Sequence, residues 1–267
     1  MNLGTVSVAS IAGMAVSVLI SIGLPIFLMF YVKYRTKAKV QFFFIGGAMF
    51  IISALMLEQL CHALVFGLTK GTIQDHIWLY ALYGGLAAAV FEETGRLIAM
   101  KYFMKHRKLT MDNANAFMYG IGHGGAESIL IVGMACINNL TTAIMLNTGS
   151  LETSINALEG EAKEQAVAGI GQLVETAPVS FYFAGVERIL AIALQIALTI
   201  LVYQAVKHGK KQYTLLAYGA HFLVDFVAVA ASNFLPVISV ECLIAAMTAA
   251  VGVFAYQIWQ KNEKETA

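Results

Sequence analysis

A chain of 267 residues that is 59% hydrophobic and only 12% charged cannot hide its apolar surface from water by folding alone, since soluble domains carry about 25% charged residues. Its mean hydropathy of +0.73 argues against a soluble enzyme, and its formal net charge of +1 argues against a nucleic-acid partner, which needs a basic face. The three cysteines stand singly in apolar runs without ligand spacing and read as small packing residues.

Seven apolar runs follow one another, each of a length suited to a membrane-spanning helix of about 20 residues. The first, 5–32, lacks the basic start and small-residue cleavage site of a secretory signal and reads as a retained helix. The second, 40–68, carries Glu58 and His62, and the third, 77–100, carries Glu92, Glu93 and Arg96. The fourth, 114–146, holds His123 and Glu127 among glycines and is longer than one crossing needs, which predicts tilt, a kink or an extended exit. An acidic connection with Glu152, Glu159, Glu161, Glu164 and Glu175 then predicts a short amphipathic helix. The last three runs are 179–206 with Glu187 and Arg188, 213–235 with His221 and Asp225, and 237–259 with Glu241. Barrel strands would be about ten residues of alternating polarity, so the expected fold is all-α. It is a polytopic membrane helix bundle with about seven transmembrane helices, a single transmembrane domain over residues 1–267.

Basic residues mark one side of this bundle. Lys33, Arg35, Lys37 and Lys39 follow the first run, Lys101, Lys105, Arg107 and Lys108 the third, Lys207, Lys210 and Lys211 the fifth, and Lys261 and Lys264 the seventh. The intervening connections hold only Lys70 and Lys163. The positive-inside rule then gives a multi-pass protein of the cell membrane with its N-terminus outside and its C-terminus in the cytoplasm.

Ionisable groups inside the runs are the exception that demands a reason, because each costs on the order of 3 kcal/mol at the bilayer centre. Glu58 and His62, Glu92 and Arg96, His123 and Glu127, and His221 and Asp225 are each four residues apart, which sets each pair on one helix face. Counted from the basic ends at about 1.5 Å per residue, Glu93, His123 and His221 all fall about 12–15 Å deep, with Glu127 and Asp225 one turn further. Glu187 and Arg188 belong nearer the other surface and are assigned a supporting role. Glu92 and Glu93 are about 100° apart around their helix, so they serve different ends.

Such a layer suits hydrolysis. A carboxylate kept ionised by Arg96 can take a proton from water, and imidazole N–H groups can hold the oxyanion formed when that water attacks a peptide carbonyl. The segments Phe91-Glu92-Glu93-Thr94-Gly95-Arg96 and Gly122-His123-Gly124-Gly125-Ala126-Glu127, the pair Glu187-Arg188, and His221-Phe222-Leu223-Val224-Asp225 together resemble the YhfC family of intramembrane metalloproteases. That family is similar to the CAAX-processing and bacteriocin-processing membrane proteases and to the PrsW-type proteases. The resemblance implies that Glu92 and Glu93 are the essential glutamates, Arg96 their basic partner, and His123 and His221 the histidines of the later motifs. Asp225 stands where the wider group often has Asn, leaving open whether that position donates a hydrogen bond or orients His221.

The family name implies zinc, for which His123, His221 and Glu93 would be the ligands. The same groups equally serve a metal-free glutamate peptidase, which is placed ahead. The cofactor is accordingly none or zinc. The partners are the lipid bilayer and a membrane-embedded or lipidated peptide substrate, with no nucleic acid. The rival reading is a proton- or ion-coupled transporter, since carboxylate and histidine chains also make proton relays, though no internal repeat supports it. Plainer readings apply elsewhere. Glu58 and His62 read as a buried structural pair, Glu241 has no assigned role, and His76, His106 and His208 read as solvated surface. Gly120, Gly122, Gly124 and Gly125 are either close-packing residues or a local helix break.

Overall fold

The computed structural model describes residues 3–105, 109 and 111–266; His106, Arg107 and Lys108 of the second basic connection lie outside them. Among the described residues the chain is helical without strands: α1 Val8–Thr36, α2 Gln41–Thr69, α3 Ile77–Lys105, α4 Asn113–Asn147, α5 Leu151–Asn156, α6 Gly160–Glu175, α7 Pro178–His208, α8 Lys211–Ala231 and α9 Val237–Thr266. Six of these, α1, α2, α4, α7, α8 and α9, are long and apolar enough to cross a membrane. The seventh expected span, α3, has the length at 29 residues, but Glu92, Glu93 and Arg96 interrupt its apolar run. The acidic connection forms two short helices, α5 and α6, rather than one.

Local signals place the boundaries. Pro178 opens α7, where its missing N–H costs nothing. Lys70, in the left-handed conformation, closes α2 with its N–H on the Phe66 carbonyl at 3.0 Å. Pro25 instead lies inside α1, where it can neither donate to the Ser21 carbonyl nor tolerate it. The helix widens into a π turn over Leu19–Gly23, and the Ser128 hydroxyl donates to that Ser21 oxygen at 3.0 Å. A backbone acceptor released by proline inside the membrane thus gains a side-chain donor. Further π turns occupy Ile51–Glu58 in α2 and Ser128–Gly133 in α4.

The residues cluster into two compact units, one of 1–24 and 128–189 and one of 25–127 and 190–267. In the first, Val6, Met14, Ile170, Leu173 and Phe181 share an apolar core, which gives α6 the buried face its amphipathic pattern predicts. Asn147 clamps the start of the chain by accepting from Val6 N–H at 2.9 Å and donating to the Val6 carbonyl at 2.8 Å.

In the second unit, α2 and α4 approach until backbone meets backbone. A Cβ at Gly46 would overlap the Tyr119 carbonyl, and one at Gly122 would overlap that of Phe43. The glycines around His123 therefore serve close packing, and the α-helix runs unbroken to Glu127. The basic ends of the helices are stitched together. Lys207 Nζ donates to Glu263 at 2.7 Å, Asn113 to the same carboxylate at 3.0 Å, Lys210 Nζ to Asn262 at 2.8 Å, and Asn262 to buried Gln204 at 3.1 Å. Two surface expectations change: His208 is half-buried, whereas Cys242, expected to pack, is exposed. His76 is exposed as expected.

Candidate active site

Helix α3 is the axis of the site. Glu92 and Glu93 leave it in different directions, as their angular offset requires, and each meets a histidine from another helix. Glu92 Oε2 lies 2.8 Å from His123 Nε2 on α4, and Glu93 Oε1 lies 2.8 Å from His221 Nδ1 on α8. Asp225, one turn along α8, faces the other ring nitrogen, with Oδ2 3.4 Å from His221 Nε2. Glu93, Arg96 and His123 are fully buried, and Glu92 and His221 nearly so.

Arg96 partners Glu93 rather than Glu92, the residue its four-residue spacing suggested. Its Nη1 donates to Glu93 Oε1, a pairing three residues apart that the same helix face permits. Its Nη2 donates to Gln195 Oε1 on α7. The carboxamide of Gln195 passes the link on, with Nε2 donating to Glu92 Oε2 at 3.1 Å and to Glu127 Oε2 at 3.0 Å. One guanidinium and one carboxamide thereby join three carboxylates from α3 and α4. Gln195 can enter because Gly124 yields the space: a Cβ there would come 2.9 Å from Gln195 Cβ and 3.0 Å from Ile192 Cα.

Spacing arguments built on charge missed Gln195, whose signal was a lone amide in an otherwise apolar run. They also missed the packing that fixes His123. Its ring sits against Phe50 edge-on at 5.4 Å and Tyr119 stacked at 6.2 Å between centroids, so the imidazole is oriented by aromatic walls as well as by Glu92. Glu187 and Arg188 belong to the first unit, where Arg188 Nη2 donates to Glu187 Oε1 at 2.6 Å. Glu58 and His62 form the expected pair, Oε1 to Nε2 at 3.2 Å, and His62 Nδ1 reaches the Tyr83 hydroxyl at 2.8 Å.

The residue types match zinc's preference for imidazole and carboxylate, but their arrangement does not fit the ion. Each histidine faces a carboxylate oxygen, and the Arg96 cation sits on the Glu93 oxygen nearest His221. No three His, Cys, Asp or Glu side chains among the described residues form a set able to hold a metal. What the arrangement offers is two carboxylate–imidazole pairs held around a buried cation. Glu93 Oε2 and His123 Nδ1 are buried without a hydrogen-bond partner.

Comparison with known proteins places this site in a family. The chain is 35% identical over 227 residues to the uncharacterized membrane protein YhfC of Bacillus subtilis (strain 168), covering 84% of this chain and 86% of that one. No solved structure matches it at a significant level. A family model described as YhfC intramembrane metalloprotease matches residues 20–247, a stretch containing every one of the site residues above. The chain therefore belongs to the YhfC family.

Proposed function

We propose that this protein is an intramembrane endopeptidase that hydrolyses a peptide bond of a membrane-associated substrate, using water activated by Glu92 or Glu93. The observation that carries the reading is the pair of carboxylate–histidine contacts, Glu92–His123 and Glu93–His221, buried among apolar helices and bridged through Arg96 and Gln195. Buried charge of this density is expensive in a membrane and calls for a chemical role. The description of the family as intramembrane metalloproteases supports a peptidase over the transporter alternative.

In this reading one glutamate takes a proton from water as the oxygen attacks the scissile carbonyl. In that step His123 and His221 turn N–H groups from their carboxylate partners, Glu92 and Glu93, toward the oxyanion. The proton then passes from the glutamate to the departing amine as the C–N bond breaks. Arg96 holds the carboxylate charge in place, and Asp225 and Glu127 set the orientation of the imidazole layer. Zinc is not required by this scheme. The substrate is a membrane-embedded or lipidated polypeptide, and the protein sits in the cell membrane with its basic helix ends in the cytoplasm and its N-terminus outside.

The test is a comparison of membrane-protein N-termini in cells carrying the wild-type, Glu92→Gln or Glu93→Gln chain. At least one polypeptide should accumulate uncut with a Gln variant that still reaches the membrane. Unchanged processing with both variants overturns the assignment.

A further inference from the structure

We infer that the site opens away from the basic helix ends, so that water and the peptide to be cut reach the Glu92–Glu93 pair through a polar groove in the opposite half of the membrane. What passes through the groove rests on the peptidase reading; where the groove opens does not.

The basic side of the layer is closed. Between the Arg96 layer and those ends, Phe42, Met100, Met118, Leu198, Leu201 and Ala217 are buried in one continuous apolar core. The buried polar side chains along that route, among them Asn115, Thr199 and Gln204, are hydrogen-bonded to other parts of the protein and open no continuous polar path.

On the other side burial falls away. The Glu93 and Arg96 side chains are 0% exposed, whereas that of Asp225, one turn further from the basic end of α8, is 33% exposed. Glu127, one turn beyond His123 on α4, is half-buried. Along α3, Gly84, Ala88 and Glu92 stand four apart on one face, running from Glu92 toward the helix end opposite Lys101. Gly84 and Ala88 are both partly exposed, and a Cβ built on Gly84 meets nothing within 4 Å. Small residues with open space above them lead straight to the glutamate.

Glu58 of α2 is buried beside that side of the layer. It ends the π turn of that helix, a distortion that re-aims side chains at functional positions. Glu92, His221, Asp225 and Glu127 are its electrostatic neighbours. Two partly exposed carboxylates, Glu127 and Asp225, thus gather on the open side of the layer, with buried Glu58 behind them. Hydrocarbon would not tolerate them there, so the groove they line is hydrated.

The experiment reads access without needing catalysis. In a full-length chain with Cys61, Cys136 and Cys242 changed to Ala, single cysteines are placed by Gly84→Cys, Asp225→Cys and, at the exposed basic end, Lys261→Cys. Sealed right-side-out and inside-out vesicles are treated with a membrane-impermeant methanethiosulfonate carrying a quaternary ammonium. Gly84→Cys and Asp225→Cys should be modified from the face opposite the one that modifies Lys261→Cys, and adding Gly84→Leu should abolish modification at 225. Modification from the same face as Lys261→Cys, equally from both faces, or from neither overturns the inference. If the Asp225→Cys chain fails to accumulate, Gly84→Cys carries the test alone, since its position has room for the new side chain. Labelling as expected, together with unchanged processing in both the Glu92→Gln and Glu93→Gln chains, would sink the peptidase reading and leave the groove standing.

Discussion

The Arg96 layer and the Glu58–His62–Tyr83 cluster lie in the same unit and draw on the same side-chain chemistry, yet they are built in different ways. The layer takes residues from four helices, α3, α4, α7 and α8, closes them around a fully buried cation, and leaves Glu93 Oε2 and His123 Nδ1 without hydrogen-bond partners. The cluster takes residues from α2 and α3, and its histidine, 20% exposed, is held by Glu58 and Tyr83. A polar pair that only needs solvating can be satisfied by its neighbours. A site that must act on something else keeps groups in reserve and meets the cost with a counter-charge.

The largest expected effect tests that distinction directly. Glu93→Gln should lower processing of its substrate by about 10²–10⁴-fold, the usual contribution of a general base, read as the ratio of uncut to cut polypeptide by mass spectrometry. Next, Arg96→Met strands buried carboxylate charge and should cost about 3–5 kcal/mol of stability, as breaking a buried ion pair does, measured by thermal unfolding in detergent. Adding Glu93→Gln to it should restore part of that loss. Gln195→Leu removes three hydrogen bonds at once and leaves charged partners unsatisfied, which should cost about 1–3 kcal/mol and depress processing in the same assays. In the cluster, Tyr83→Phe should cost only about 0.5–1.5 kcal/mol, one hydrogen bond's worth, with processing unchanged. If Tyr83→Phe matched Glu93→Gln in its effect on processing, the distinction between the two regions would fail. The smallest expected effect is that of chelation: EDTA should leave processing intact and the purified protein should carry no stoichiometric zinc. One zinc per chain, lost together with activity, would redraw the layer as a metal centre.

Much of this was legible in the residues. Seven apolar runs anticipated the long helices, because a span needs little more than length and apolarity, and α3 falls below that standard at the glutamates and arginine that drew attention to it. The participants Glu92, Glu93, Arg96, His123, His221 and Asp225 stood out because charge inside a membrane is costly. Their pairing did not stand out. Residues three and four apart share a face, so spacing alone could not choose Glu93 over Glu92 as the partner of Arg96; the neighbours supplied by α4, α7 and α8 decide it. Gln195 escaped notice because an uncharged amide carries a smaller penalty and has no ionisable mate one turn away. The π turns were invisible too, since an extra residue per turn leaves no mark in a sequence read at a fixed period.

The stitching at the basic helix ends carries a practical warning for anyone expressing this protein. A truncation that begins at Asn262 removes both the amide that satisfies Gln204 and Lys210 and the carboxylate shared by Asn113 and Lys207. Four side chains, on α4, on α7 and just before α8, would lose partners through a cut in what looks like a disposable tail. Affinity handles therefore belong after the final residue, and clones shortened there should show aggregation or poor yield long before any defect in chemistry can be assayed.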